Sequence, residues 1–415
     1  MRLLKLEMKR ILKTRMTVVL LIAAFLLSFV MAWLPTTFSY NSYTDADGNK
    51  VELTGLASIR YEKDLQADAA GIVTPEKVRQ AVEKYQTCLK KYGVENSYDL
   101  PDGVYGEEIL PYAPLLHGVR EAFADPDTGV APSLAEINPE EIGDFYGVCG
   151  KRIVSLMKQE QEKYPAAQNA AVNLYQRVET PYRLFPGFDR DSMDYQVLLS
   201  FLAVLFCTVI AAPVFASDYQ TGADDILRCT KYGKKKFAVV KIVSALLICG
   251  MMFAVCAVVY IVVTDSLYGW ECAETSMQML YSVVNLPNMD IGQLQIFVAV
   301  SGWLCLLATV CFTLFLSSKC KNVAVSLSVA LLSVILPMIV YMALPAEAGK
   351  WIYGILPSGG VGLQTNILYA AIDFTFWNIG NFAVWLPHGM IAAYLVEIPL
   401  FAFLAVDSYS KHTEG

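Results

Sequence analysis

Few side chains in this chain are placed to do chemistry. The nearest approach to a phosphate-binding loop is Phe145–Arg152, which ends Gly-Lys-Arg. Such a loop needs an earlier glycine to let its backbone cradle phosphate and a hydroxyl after the lysine to hold magnesium, and this string has neither. There is no His-Glu-x-x-His pair for zinc and no Gly-x-Ser-x-Gly elbow for a nucleophile. The three histidines, His117, His388 and His412, are widely separated, which suits separate structural roles better than one site. No catalysis and no bound cofactor are expected of this chain.

Two polar features remain. Glu397 lies within an apolar run. A charge at mid-span costs about 2.5–3.5 kcal/mol, so Glu397 should face protein or water. It is either a polar point on a substrate path or dimer contact, or a hydrogen bond between helices worth about 0.6–2 kcal/mol. The second feature is the strip Ser217–Lys236, SDYQTGADDILRCTKYGKKK, between two membrane-length apolar runs. In the plainer reading it is a solvated loop whose lysines hold topology. In the sharper one, Ala223–Thr230 form a helical turn that docks on a partner. Gly222 then starts the turn, and Asp224 and Asp225 sit at its positive end. Ile226 and Leu227 make the apolar contact, while Arg228 and Lys231 supply charge.

The elements that must position these residues are membrane spans. The chain has 415 residues, of which 55% are hydrophobic and 17% charged, and a mean hydropathy of +0.43. Soluble domains carry about one quarter charged residues. Six runs reach the roughly 20 apolar residues a crossing helix needs: 16–34, 196–216, 239–263, 294–316, 323–344 and 386–406. The first exceeds a signal-peptide core and lacks a small-x-small cleavage site, so it is expected to be retained. Six Lys and Arg fall in residues 1–15 and five in 217–236, whereas 264–293 has none and 345–385 only Lys350. Because short cytoplasmic loops accumulate basic residues, both termini, including the 407–415 tail, are expected inside.

Residues 35–195 then lie outside. They carry a net −10 against −7 for the whole chain, which leaves +3 for the remainder. An acidic outer domain on a basic-faced membrane part gives nucleic acid no binding patch. The segment reads as mostly helical. Thr74 and Pro75 open one helix that Lys90, Lys91 and Gly93 close. Asn138, Pro139 and Glu141 open another as a capping box, with Ile142, Phe145, Tyr146, Cys149, Ile153, Leu156 and Met157 along its core stripe. Asp45–Gly48 and Asp125–Gly129 read as turns. At this length the segment can bury its own core. Cys88 and Cys149 could pair as a disulfide or remain buried thiols, since both fall on apolar helix faces. The cysteines have no metal-type spacing.

Residues 1–15 form a basic amphipathic helix, with Leu4, Met8, Ile11 and Leu12 along one stripe, suited to the membrane interface and its lipids. Residues 345–385 are apolar but broken by Pro357, Gly359 and Gly360, so re-entrant helices fit better than a straight crossing. Pro213 and Pro337 are bending points.

Together these features resemble the permease subunits of type-2 ABC exporters. The resemblance rests on Asp218 and Tyr219 followed by Gly222, then Leu227 and Arg228, and on Lys241 opening the next span. It also rests on the N-terminal interfacial helix, the broken outer excursion entered at Leu356–Pro357, and the plan of an insertion between spans 1 and 2. Asp218 stands where that family often has glutamate, and Ala223 where it often has threonine. The resemblance implies an all-α polytopic membrane protein of the bacterial cytoplasmic membrane. It implies a second permease subunit, identical or not, and two separate ATP-binding subunits that hold ATP and magnesium. Asp218, Tyr219, Gly222, Asp224, Asp225, Ile226, Leu227, Arg228 and Lys231 would contact the ATPase. Competing readings are a membrane sensor or scaffold with a ligand-binding outer domain, and an ion-coupled transporter using Glu397.

Overall fold

The computed structural model describes residues 2–44, 48–101, 103–230 and 233–411. Six helices are long and apolar enough to cross a membrane, and the chain is a multi-pass membrane protein. They are Arg15–Trp33, Asp191–Ala211, Lys235–Tyr268, Ile291–Lys319, Val323–Ala343 and Leu386–Lys411, here spans 1 to 6. Span 3 runs well beyond 239–263 at both ends, because a helix continues through polar residues that hydropathy alone leaves out.

Spans 2 and 4 lie mostly inside the bundle, and spans 1 and 5 are mostly uncovered. Span 4 packs against spans 2, 3, 5 and 6 and forms the axis of the fold. Helices this apolar all round carry no amphipathic stripe, so small side chains settle which face packs. Accordingly Ser200, Ala203, Cys207 and Ala211 are buried on span 2, and Ser301, Cys305, Ala308 and Thr309 on span 4.

The N-terminal helix, Arg2–Leu12, lies against span 3. Met8 and Ile11 face inward as the stripe predicts, with Leu3 beside them, but Leu4 is only half-buried, Leu12 is exposed and Glu7 is buried. Both chain ends share one end of the bundle, where Arg10, Lys241 and Tyr409 gather around the 213–228 segment.

At the opposite end, Thr74 caps Pro75–Tyr92, accepting from the Lys77 amide at 3.2 Å, and Gly93 closes the helix. The Asn138 helix differs from expectation. Asn138 caps a 3-10 turn, Pro139–Asp144, by accepting from the Glu140 amide, and the α-helix starts only at Phe145 and runs to Glu160. Among the described residues no reciprocal bond from Glu141 completes a capping box. The stripe survives: Ile142, Phe145, Cys149, Ile153 and Met157 are buried. Asp125 folds its carboxylate onto the amides of Asp127 and Thr128, which makes the expected turn. The Asp45–Gly48 turn falls on positions 45–47, outside the described residues.

This core extends past residue 195. Val283, Val284 and Leu286 from the span 3–4 connection, and Phe376 and Trp385 before span 6, belong to the same apolar cluster. Tyr175 and Tyr182 both donate to the Val283 carbonyl at 3.0 Å, and Glu121 accepts from the Val283 amide at 2.9 Å. The insertion is thus seated on the membrane part by its own core. The fold is predominantly helical, as an all-α membrane protein should be, and its few strands make short two-stranded sheets there: Tyr40–Thr44 with Lys50–Thr54, Gly71–Ile72 with Arg183–Leu184, and Phe376–Ile379 with Phe382–Trp385. Cys88 and Cys149 are unpaired thiols, each fully buried. Burial pushes the Cys149 thiol up to about 12.

Residues 345–385 hold no membrane-length helix. They form Ala346–Ile355, a 3-10 turn Gly359–Val361, Ile367–Ile372 and the last hairpin. The Pro357 carbonyl accepts from Thr309 Oγ1 at 2.9 Å and Cys305 Sγ at 3.1 Å, and Ser358 Oγ donates to the Ser333 carbonyl at 3.1 Å. These partners lie near the middles of spans 4 and 5. A backbone break at that depth must find its hydrogen bonds in protein, and here it does. A side chain at Gly360 would collide with the Tyr394 hydroxyl, so the glycine is what lets the turn reach span 6.

Candidate functional site: the elbow after span 2

Span 2 breaks at Ala212. Pro213 cannot donate to the preceding turn, and a second helix, Pro213–Thr221, follows with a third, Ala223–Arg228. Ser317 of span 4 fills the break. Its hydroxyl accepts from the amides of Phe215 and Ala216, each at 3.1 Å, and donates to the Ala212 carbonyl at 2.6 Å. Ser326 of span 5 donates to the same carbonyl at 2.9 Å. A side chain inserted into a helical ladder is one of the identifiable causes of a bend.

Asp218 is buried and doubly paired. Its Oδ1 accepts from Arg10 at 2.7 Å and its Oδ2 from Lys241. Lys241, with no exposed side-chain surface, also donates to the Val214 carbonyl at 2.6 Å and sits about 5 Å from the Phe215 and Phe237 ring centres. Arg10 also pairs with Glu7 at 3.1 Å. Such a node ties the N-terminal helix, the elbow and span 3 together. Asp218 is therefore a structural ion here, turned away from the surface where a docking contact would be made. Lys241 likewise sits inside span 3, more than a turn past its start at Lys235.

Tyr219 donates to the Ser318 carbonyl at 3.3 Å and stacks near Tyr409 of span 6, 6.2 Å between ring centres. Gly222, at φ +68°, ends one helix and starts the next. A left-handed backbone of that kind suits glycine. Arg228 reaches the Ser410 carbonyl at 3.5 Å, and its guanidinium lies 5.7 Å from the Tyr409 ring centre. Asp224 is buried, and Leu227 packs against the membrane core. On the last helix of the elbow, Asp225 and Ile226 face out, with Ile226 75% exposed. Lys231 lies outside the described residues.

The nine strip residues thus divide. Asp218, Tyr219, Leu227 and Arg228 fasten the elbow to the N-terminal helix and to spans 3, 4 and 6, Gly222 shapes it, and Asp224 is buried within it. Asp225 and Ile226 form its free tip. Residues outside the strip complete the assembly: Lys241, and with it Arg10, Ser317, Ser326 and Tyr409. The proline at 213 signals that some partner must fill the break, and a lysine inside the apolar run FAVVKIVSALL signals a buried carboxylate. Neither signal identifies which residue answers it.

Glu397 lies elsewhere, at mid-span 6. It is buried, and among the described residues its Oε2 has no hydrogen-bond partner. No group of three or more His, Cys, Asp or Glu among the described residues could hold a metal ion. Neither a protein-family model nor a curated protein matches the chain.

Proposed function

We propose that this chain is the membrane-spanning permease of a type-2 ABC exporter, moved by separate ATP-binding subunits. One observation carries the reading: an elbow fastened to four other elements that offers a bare isoleucine at its tip. Ile226 is an apolar anchor flanked by Asp225, and the buried node behind it would transmit a push without letting the elbow slip. Two ATP-binding subunits would hold ATP and magnesium, dock on the two elbows of a permease pair, and rock the halves as their dimer closes. The elbow end, with both termini, would then be cytoplasmic and the 35–195 insertion external, in a bacterial cytoplasmic membrane. Uncovered apolar faces on spans 1 and 5 leave room for lipid and a second permease.

The test is whether the full chain, purified from its own membrane, brings down an ATP-binding subunit. Ile226→Asp should abolish the complex while leaving the thermal unfolding midpoint unchanged, and Ile226→Leu should preserve it. A complex that withstands Ile226→Asp, or ATP-dependent pumping by the chain alone, overturns the reading. The unpartnered oxygen of buried Glu397 favours a second one, ion-coupled transport. Uptake driven by a proton gradient without ATP, and lost in Glu397→Gln, would establish it instead.

A further inference from the structure

We propose that the cavity at the far end of span 5 binds an amphiphile with a cationic head. The cavity is about 910 Å³ and is walled by span 5, the Ala346–Ile355 helix, the Gln364–Thr375 stretch and the end of the Phe145–Glu160 helix. Three carboxylates and one lysine line it. Glu347 pairs with Lys350 at 2.6 Å and matches its charge. Glu160 and Asp373 make no ion pair among the described residues, which leaves the cavity two net negative charges.

Partial loss of hydration at the cavity wall, and then the nearby Glu160 charge, raise the Asp373 carboxyl above its usual range, while both acids keep contact with water. Two unmatched carboxylates near one cavity favour a cation that relieves their repulsion. Gln161, in the cavity wall, holds an unsatisfied buried acceptor. Its amide nitrogen is committed to the Phe374 carbonyl at 2.9 Å, the residue is over nine-tenths buried, and its side-chain oxygen has no partner among the described residues.

The opposite wall is apolar. Tyr341 and Tyr353 meet edge to face, 6.1 Å between ring centres. Tyr341 is about half exposed and Met342 79% exposed, on the face of span 5 that the bundle leaves bare. A ligand with its charge at Glu160 and Asp373 could lay an alkyl or aryl tail along these residues, with the rings adding apolar contact. A free amine lacks the tail and a fatty acid has the wrong sign. The binding claim stands whether or not an ATPase drives the chain.

The experiment uses the full chain in phosphatidylcholine nanodiscs, titrated with a dansyl-tagged hexylammonium and corrected against empty discs. The dansyl-tagged hexanoate is the sign control. Binding should be saturable, salt-sensitive and at least about tenfold tighter for the ammonium. Asp373→Asn and Glu160→Gln should each weaken it by about tenfold, the effect of one lost charge-assisted hydrogen bond. Glu76→Gln, on the remote Pro75–Tyr92 helix, should not. Equal binding of both probes, or unchanged binding in Asp373→Asn and Glu160→Gln with unfolding midpoints intact, overturns the proposal. Competition by phosphatidylethanolamine in the disc would support a lipid headgroup as the natural cation. Its absence would support a ligand arriving from water.

Discussion

Removing the Asp218 charge should destabilise the protein strongly. Asp218→Asn keeps the shape but leaves Lys241, with no exposed side-chain surface, without its carboxylate. Breaking a buried pair by removing one partner costs about 3–5 kcal/mol, because the remaining charge stays buried. Arg10 adds little to that figure: its side chain is 39% exposed and keeps Glu7 as a partner, and ion pairs so exposed are worth about 0–1 kcal/mol. At about 2.1 cal/mol/K of unfolding entropy per residue, a chain of 415 residues loses roughly 1 °C per kcal/mol, so the unfolding midpoint in detergent should fall by about 4 °C. Lys241→Met alone should cost a similar amount, since it strands the carboxylate. The double variant Asp218→Asn/Lys241→Met should recover most of the loss, as buried pairs replaced together by uncharged groups often do. Intrinsic fluorescence melts of the four proteins give the coupling energy directly. If the double variant falls by the sum of the two singles, the node holds no interaction and the reasoning fails.

The break in span 2 makes a second prediction. Ser317→Ala removes the hydroxyl that satisfies two amides and a carbonyl. Ser326 still serves the carbonyl, so the cost should be about 1–3 kcal/mol, read as a smaller fall in the same melt. The cysteines make a third. Maleimide followed by peptide mass analysis should label exposed Cys229 promptly. Cys88 and Cys149 should react only after denaturation, with no change in mobility between reduced and unreduced samples.

What could be read from the residues divides by range. Spans are local: about 20 apolar residues must cross or be buried, and all six runs are helices. Thr74 with Pro75, and Gly93, were legible for the same reason, since a cap needs only its neighbours. Asn138 was half legible. Its cap is real, but the turn behind it tightened to 3-10, which neighbouring residues do not dictate. Long-range partners were not legible. Arg10 and Asp218 are 208 residues apart and Phe215 and Ser317 are 102 apart, and nothing in either segment names the other. Leu227 shows the cost of this. By sequence it and Ile226 form one apolar contact, yet Leu227 packs inward and only its neighbour Ile226 is exposed. On so short a helix the choice of face is made by what packs behind it.

Span 4 joins the elbow to the broken turn on the other side of the bundle. Ser317 holds the span 2 break, and eight residues earlier on the same helix Thr309 holds the Pro357 carbonyl. At 1.5 Å per residue the two grips are about 12 Å apart along one helix, with no proline between them. A packed helix passes a push along its axis as a unit, whereas the elements at either end are short and joined by turns. Pro357 opens the segment that runs through Thr365 and Asn366 into the wall of the acidic cavity. A load applied at Ile226 therefore has a continuous, mostly rigid route to that wall. Contact alone does not make such a route a coupling. It becomes one only if the elbow and the Pro357 turn each have two arrangements and share their preference through span 4. The serine in the ladder and the proline at mid-depth are the two places where this fold has exchanged regular backbone for side-chain grips that could be remade.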